Sequence, residues 1–344
     1  MHGTTPSQQR ISRKKIIYPV NDSLRAYLSA HSREIRLPVK YADLLHFEGA
    51  TAVYDKRGKD SLWETAIYRH SEGEEIHDGL KQIYSILKTG GDSRVHKHLH
   101  IDRVDYCTFG NSNPFRIRIV NNFNDNYDYF YIKQADASRV YGLELEHILS
   151  PERINYFVNE ATLIEEHIAG VPGDLFMTSY FDNPEFNKVR IAKEFVKFNE
   201  RCFVRLLGDM RSYNYVLDIT PDFEEVQFRI RAIDFDQQSY EGRRNLYLPQ
   251  FFKENNPLVK LVQEKLSPET VEQYRKEERT LIERRSKSSR IRLQALLAIM
   301  CLDDISPVDK VHTLRTELAD FYADPHFLTL TTMGQLVRYS LQIL

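Results

Sequence analysis

The chain has little cysteine, no excess of charge of one sign and no long hydrophobic run. Its three cysteines are scattered, which argues against a redox or metal-binding cysteine motif and favours a reducing cytoplasm. Lysine plus arginine numbers 47 and aspartate plus glutamate 49, so no nucleic-acid partner is expected. The longest apolar stretch, residues 293–302, is far too short to cross a bilayer, so no membrane partner is expected.

The apolar content is nevertheless high enough for a folded protein. Apolar residues make up 42% of the 344 positions, which is sufficient for a sizeable core and for one large domain or two ordinary ones. Residues 1–20 are predicted to be a tail. A short helix at 22–32, two strands within 50–69 and a helix at 72–91 are predicted to follow it.

Strands are predicted through the middle of the chain and helices towards its end. A three-stranded antiparallel meander is expected at 98–107, 115–122 and 128–136. Ser150, Pro151 and Glu152 match a helix start, and apolar residues at helical spacing extend that predicted helix to 168. A buried strand at 174–181, a helix at 185–206, a hairpin at 213–219 and 225–235, and helices after 250 are predicted next, the longest at 267–300. This order indicates an α+β protein with a small sheet-rich lobe and a larger helical lobe.

Three polar residues in the second half form a candidate metal site. Asp209 and Asn214 lie five positions apart in LLGDMRSYNYVLD, and Asp234 follows twenty positions later in IRAIDFD, across the predicted hairpin. Carboxylate and amide oxygens suit a hard cation such as Mg²⁺. Each motif alone occurs often by chance. The hypothesis of a functional site therefore depends on the order of the motifs and on Lys133, which precedes them in the chain.

The segments Gly-Asp…Asn and Ile-Asp-Phe-Asp resemble the aminoglycoside and choline kinase branch of the protein-kinase-like superfamily. The resemblance implies a bilobal fold with a small antiparallel-sheet N-lobe that carries one key helix, and a larger, mainly helical C-lobe. The N-lobe and hinge would span 96–181 and the C-lobe 182–344, while 1–95 would be an N-terminal extension packed on the N-lobe. It also implies the use of ATP and Mg²⁺ and a hydroxyl acceptor.

The resemblance assigns roles to the second-half residues at matching positions. Asp209 would orient the attacking hydroxyl or accept its proton, and Arg211 would stabilise charge on the transferring phosphoryl group. Asn214 and Asp234 would bind Mg²⁺. Lys133, in Phe-Tyr-Ile-Lys, resembles the strand lysine that reaches the α- and β-phosphates.

The remaining assignments lie around Lys133. Glu160 on the predicted helix is the expected partner of Lys133, with Glu165, which falls within the apolar stripe, as its rival. The loop 108–114 would cover the phosphates through the residues Gly110, Asn111 and Ser112. Tyr180 would lie near the adenine at the end of the hinge strand.

Two departures from the family pattern bear on activity. Leu207 stands where the family usually has histidine, and the phosphate loop has Gly110 as its one glycine. A small-molecule acceptor is favoured over a protein one, with a protein-serine kinase of the bacterial toxin type next. The alternative class is a pseudokinase, which would keep the fold but show little turnover. A mixed α+β interaction protein with chance motifs is the third hypothesis.

Overall fold

The computed structural model describes residues 15–55, 58–91, 97–108, 112–222 and 226–344. Within those ranges no helix has the length and apolar character that crossing a membrane would require. The fold is mixed, with a seven-stranded antiparallel sheet formed in the first half of the chain and helices that dominate the second half.

The N-terminal elements follow the predicted order. They are α1 (Asp22–Ala30), α2 (Tyr41–Leu44), β1 (Gly49–Tyr54), β2 (Asp60–Ile67) and α3 (His70–Thr89). Asn21 caps α1, because its side chain accepts a hydrogen bond from the backbone N–H of Leu24 at 2.9 Å. Gly90 ends α3 in the left-handed conformation, with φ +67°. The predicted helix at 22–32, the strand pair within 50–69 and the helix at 72–91 are confirmed as α1, β1 with β2, and α3.

The predicted meander is also confirmed and belongs to the larger sheet. Its strands are β3 (Leu99–Cys107), β4 (Phe115–Asn121) and β5 (Tyr127–Gln134), and the sheet is completed by β6 (Tyr156–Asn159) and β7 (Thr162–Glu166). The strand order is β1-β2-β3-β4-β5-β7-β6. Trp63 pairs with Cys107, so the strands before residue 96 extend the same sheet. The domain division at 95/96 stays a prediction.

The predicted helix at 150–168 is wrong. The helix of this region is α4 (Ala137–Leu149), and β6 and β7 form a hairpin where the helix was expected. Asp136 caps α4, because its side chain accepts a hydrogen bond from the backbone N–H of Ser138. The prediction missed this helix start because it assigned Asp136 to the strand at 128–136. Glu160 lies in the turn of the hairpin with φ +52°, and the buried residues Tyr156 and Val158 alternate as a strand requires.

The predicted strand at 174–181 is also wrong. Strand β8 (Val171–Pro172) is followed by α5 (Gly173–Leu175) and a π-helical turn, Phe176–Tyr180. Phe176 is buried, and its ring centroid lies 6.2 Å from that of Phe186 and 6.5 Å from that of Phe228. A short apolar run fits a strand and a buried helical turn equally well. In this segment the run forms a helical turn, and Phe176 makes its aromatic contacts from that turn.

The second half of the chain surrounds the hairpin β9 (Tyr215–Pro221) and β10 (Val226–Ala232). The helices are α6 (Lys188–Arg205), α7 (Asn256–Lys265), α8 (Pro268–Ser288), α9 (Arg290–Met300), α10 (Val308–Tyr322) and α11 (Met333–Gln342). The hairpin and α6 confirm the predictions, whereas the long helix expected at 267–300 is divided at Ser289. Gly142 lets α4 approach the segment after β10, because a Cβ there would lie 3.1 Å from Phe235 Cβ.

Candidate functional site

The loop 207–214 follows α6 and is fixed through its backbone. Gly208 N–H donates to the Gln237 carbonyl at 3.2 Å, and Asp209 N–H donates to the Leu246 carbonyl at 3.1 Å. Asp209 has φ +56°, a left-handed conformation that costs a residue other than glycine conformational energy. Leu207 is fully buried in the core beneath the loop, where the resembled family has histidine. Strain of this kind is found at functional positions more often than elsewhere.

The side chains of the loop converge on Asp209. Arg211 Nε donates to Asp209 Oδ1 at 2.9 Å, and the other edge of its guanidinium donates to Glu254 Oε1 at 2.7 Å. Asn214 Nδ2 donates to the Asp209 carbonyl at 2.7 Å. Because the amide nitrogen of Asn214 is used in that bond, its amide oxygen can accept a hydrogen bond from another group or bind a cation.

The pKa of Asp209 is raised to about 6, mainly by burial of its carboxyl group. The Arg211 cation opposes the rise, while the negative charges of Asp234 and Glu241 add to it. The backbone N–H of Ile233 donates to the Asn214 carbonyl at 3.0 Å, which holds the segment before Asp234 against this loop. A carboxylate with a pKa near 6 is ionised at neutral pH and takes up a proton more readily than an ordinary aspartate.

Lys133 pairs with Glu165, not with Glu160. Lys133 Nζ donates to Glu165 Oε2 at 2.7 Å, and both side chains are buried. Lys133 on β5 lies opposite Leu163, two positions from Glu165 on β7, so the two charged side chains share one face of the sheet. Glu160 is exposed in the hairpin turn and forms an ion pair with Lys40 at 2.9 Å. The predicted Lys133–Glu160 pair is therefore wrong and the rival Glu165 is the partner, because Glu160 lies in the exposed turn while Glu165 lies on the strand that pairs with β5.

Arg139 on α4 joins this pair to the aspartates that follow β10. One edge of its guanidinium donates to both Glu165 oxygens, with NH2 to Oε2 at 2.9 Å. NH1 donates to Asp234 Oδ1 at 2.8 Å and to Asp236 Oδ1 at 2.5 Å. The Arg139 side chain is only 1% exposed, whereas that of Asp234 is 33% exposed. Asp234 is therefore accessible to solvent on one side and held by a buried cation on the other.

The network sets the pKa values of its acids in opposite directions. Burial opposes ionisation of Glu165, but Arg139 and Lys133 outweigh it and lower the pKa of Glu165 to about 2. Burial and the neighbouring charge of Asp236 raise the pKa of Asp234, although Arg139 and Lys133 act against the rise. Asp236 is stabilised as a carboxylate by Arg139, Lys133 and Lys15, and its pKa is lowered in spite of its burial. The least stabilised negative charge thus lies on Asp234.

Lys15 enters the same network from the N-terminal segment. Its Nζ donates to Asp136 Oδ2 at 2.5 Å and to the Asp236 carbonyl at 2.6 Å, and its side chain is buried. The sequence gives no signal for this role, since residues 1–20 are predicted to be a tail. Arg139 was missed because α4 was not predicted. Asp236 stands in the quoted Ile-Asp-Phe-Asp motif but was given no role.

The other predicted site residues are Gly110, Asn111, Ser112 and Tyr180. Gly110 and Asn111 lie outside the described residues. Ser112 lines a cavity of about 10 Å³, room for about one water, together with Lys15 and Asp236. Tyr180 lies on the π-helical turn with an exposed side chain, and its role near adenine stays a prediction.

Two large cavities of the described residues lie elsewhere on the surface. A groove of about 1020 Å³ runs along α8 and includes Lys197 of α6, and another of about 620 Å³ is lined by α6, α8 and β10. Neither contains Lys133, Asp209 or Asp234. The candidate site is therefore defined by its charged side chains and their accessibility, not by cavity size.

Comparison with known proteins adds only weak likenesses. No protein-family model and no curated protein matches the chain. The chain is similar to the autoinhibited serine kinase domain of the giant muscle protein titin, at 14% identity and a TM-score of 0.27, over 54% of this chain and 71% of that one. It is also similar to titin kinase with its flanking domains, at 15% identity and a TM-score of 0.28, over 72% of this chain and 55% of that one. Likenesses this weak establish neither the fold nor an activity of this chain.

Substitution of the two glutamates tests the observed pairing. Glu165→Gln leaves Lys133 and Arg139 buried without their carboxylate, which we expect to lower the free energy of unfolding by about 3–5 kcal/mol. Glu160→Gln is the matched control, and no measurable loss is expected because Glu160 is exposed. Urea denaturation of both variants makes the comparison. Equal losses for the two would contradict the pairing.

Proposed function

We propose that the protein is an ATP- and Mg²⁺-dependent phosphotransferase that moves the γ-phosphate to a hydroxyl group of a small molecule or a protein. One observation carries the proposal: the buried Lys133–Glu165 pair is joined through Arg139 to Asp234. Asp209 lies close enough to Asp234 for the charge of Asp234 to raise its pKa. A strand lysine, a metal-binding aspartate and a base aspartate are the groups that phosphoryl transfer from ATP needs together.

The residues near Asp209 fit a single hard cation. Asp234 Oδ1 is engaged by Arg139, which leaves Oδ2 as a charged oxygen on the accessible side. Asn214 offers a neutral amide oxygen, since its nitrogen is bonded to the Asp209 carbonyl. No cluster of three His, Cys, Asp or Glu side chains suited to a metal occurs among the residues that the structure describes. Mg²⁺ is often bound through one or two protein oxygens plus substrate phosphates, so this donor set suffices.

Each protein group in the proposed reaction has a defined task. Lys133, oriented by Glu165, would donate to the phosphates of ATP. Asp209 would accept a hydrogen bond from the acceptor hydroxyl and take its proton as the new oxygen–phosphorus bond forms and the bond from the γ-phosphorus to the oxygen of the departing ADP breaks. Arg211, already bonded to Asp209, would stabilise charge on the transferring group. Mg²⁺, held by Asn214 and Asp234, would supply the positive charge that offsets the phosphates.

The finer parts of the hypothesis are proposals of the same kind. We propose two lobes, with residues 96–181 and 182–344 on either side of the nucleotide, and Gly110, Asn111 and Ser112 above the phosphates. The buried hydrophobic residues form two clusters, a smaller one between 37 and 132 with Ile164, and a larger one that joins α1, α4 and residues of β6 and β7 to the C-terminal helices. The boundary between the clusters therefore lies before α4 and not at 181/182. Tyr180 would contact adenine. The motif style favours a small-molecule acceptor and a cytoplasmic enzyme.

One contact favours the alternative, a nucleotide-binding module with little turnover. Arg139 occupies an oxygen of Asp234 that a metal could otherwise use. Against that alternative, the Asp234 side chain is 33% exposed, and the chain has Lys133, Asp209 and Asn214 at the positions that the resemblance requires. Turnover, not binding, separates the two functions.

Ligand-dependent thermal stability tests the proposal. Mg·ATP at a hundred times its Kd should stabilise the wild-type chain by about 2.7 kcal/mol, and more than ATP or Mg²⁺ alone. Asp234→Asn, which keeps an oxygen for Arg139, should lose the Mg²⁺-dependent part. Asp218→Asn on β9 is the control and should behave like wild type. Absence of any Mg·ATP effect in the wild type would reject the proposal, and stabilisation without ADP formation would favour the alternative.

The raised pKa of Asp209 predicts the pH dependence of turnover. As the pH falls through about 6 the carboxylate takes up a proton and cannot serve as base, so the rate should fall by about tenfold per pH unit below that point. Arg211→Met removes a cation that lowers this pKa, so its midpoint should lie at higher pH than that of the wild type. Initial rates between pH 5 and 8 measure both midpoints, and an unchanged midpoint in Arg211→Met would contradict the assignment of Asp209.

A further inference from the structure

The position of Arg139 beside Asp234 bears on how many metal ions the site binds, an inference that rests on the proposed function. Protein kinases bind two Mg²⁺ ions with the nucleotide, between a strand-end aspartate and the asparagine of the catalytic loop. We propose that the Arg139 guanidinium takes the place of one of these cations at Asp234, so that this site binds a single divalent ion with its nucleotide.

The geometry leaves one Asp234 oxygen for metal. Oδ1 accepts from Arg139 NH1 at 2.8 Å and from the backbone N–H of Asp236 at 3.0 Å. The guanidinium cannot easily move aside, because its other edge donates to both Glu165 oxygens and NH1 also donates to Asp236 Oδ1 at 2.5 Å. A metal ion on Oδ1 would lie against a buried positive charge. Oδ2 therefore remains as the metal-binding oxygen of Asp234.

The charge balance of the network agrees with one ion. The cations are Lys15, Lys133 and Arg139, and the carboxylates are Asp136, Glu165, Asp234 and Asp236. Fully ionised, these groups leave one surplus negative charge. Asp234 is the most exposed member, at 33%, against 11% for Asp236. A divalent ion on Oδ2 compensates this surplus, whereas a second ion on Oδ1 would lie beside the Arg139 cation.

Counting bound metal tests the inference. The full chain is dialysed to equilibrium against Mn²⁺ and a non-hydrolysable ATP analogue, and protein-bound Mn²⁺ and nucleotide are both measured. The wild type should bind one Mn²⁺ per nucleotide. Arg139→Gln removes the competing charge and should bind two, while Arg139→Lys keeps a positive charge and should stay at one.

A second variant guards against loss of folding. Arg139→Gln leaves the carboxylates unbalanced, so the double variant Arg139→Gln/Glu165→Gln, which removes one charge of each sign, is measured beside it. Two Mn²⁺ in the wild type, or one in a folded Arg139→Gln or Arg139→Gln/Glu165→Gln variant, would overturn the inference; if neither of these variants folds, the wild-type count decides. One Mn²⁺ bound per nucleotide in the wild type supports the inference. A wild type that binds no nucleotide would instead overturn the proposed function, and the inference with it.

Discussion

The buried guanidinium of Arg139 is the constraint on which the site depends. A cation that is 1% exposed loses its hydration, which costs several kcal/mol unless carboxylates replace the lost water. Glu165 from β7 and Asp234 and Asp236 from the segment after β10 supply them. The sheet, α4 and the second half of the chain must therefore meet at one point. Gly142, one turn further along α4, allows the close approach that this meeting needs.

The same network explains why Asp234 is poised for a ligand. Lys133 and Arg139 together stabilise Glu165, and Arg139 and Lys15 stabilise Asp236, so little positive charge remains for Asp234. Burial and the neighbouring charge of Asp236 raise the pKa of Asp234 in spite of Arg139 and Lys133, and its side chain is nevertheless 33% exposed. Carboxylates with a raised pKa and partial exposure are found at functional sites more often than elsewhere, and this is the ground for the cation that we propose at Asp234.

The sequence predicted the parts of the site whose spacing is local. Asp209 and Asn214 share one loop, and the meander that carries Lys133 follows from strand periodicity, so these needed no tertiary information. The partner of Lys133 did need it. The residues around Glu165 fit helical and strand periods alike, and only the turn at Glu160 and the burial of Tyr156 distinguish them. Lys15 could not be predicted, because its role depends entirely on contacts with distant residues.

The most direct test of the account is a crystal structure of the chain with Mn²⁺ and a non-hydrolysable ATP analogue, with the metal located by anomalous scattering. We expect a manganese peak between Asp234 Oδ2 and the amide oxygen of Asn214, with the phosphates directed towards Lys133. The Arg139 guanidinium should stay on Asp234 Oδ1. Nucleotide bound away from Lys133, or manganese bound without Asp234, would contradict the account.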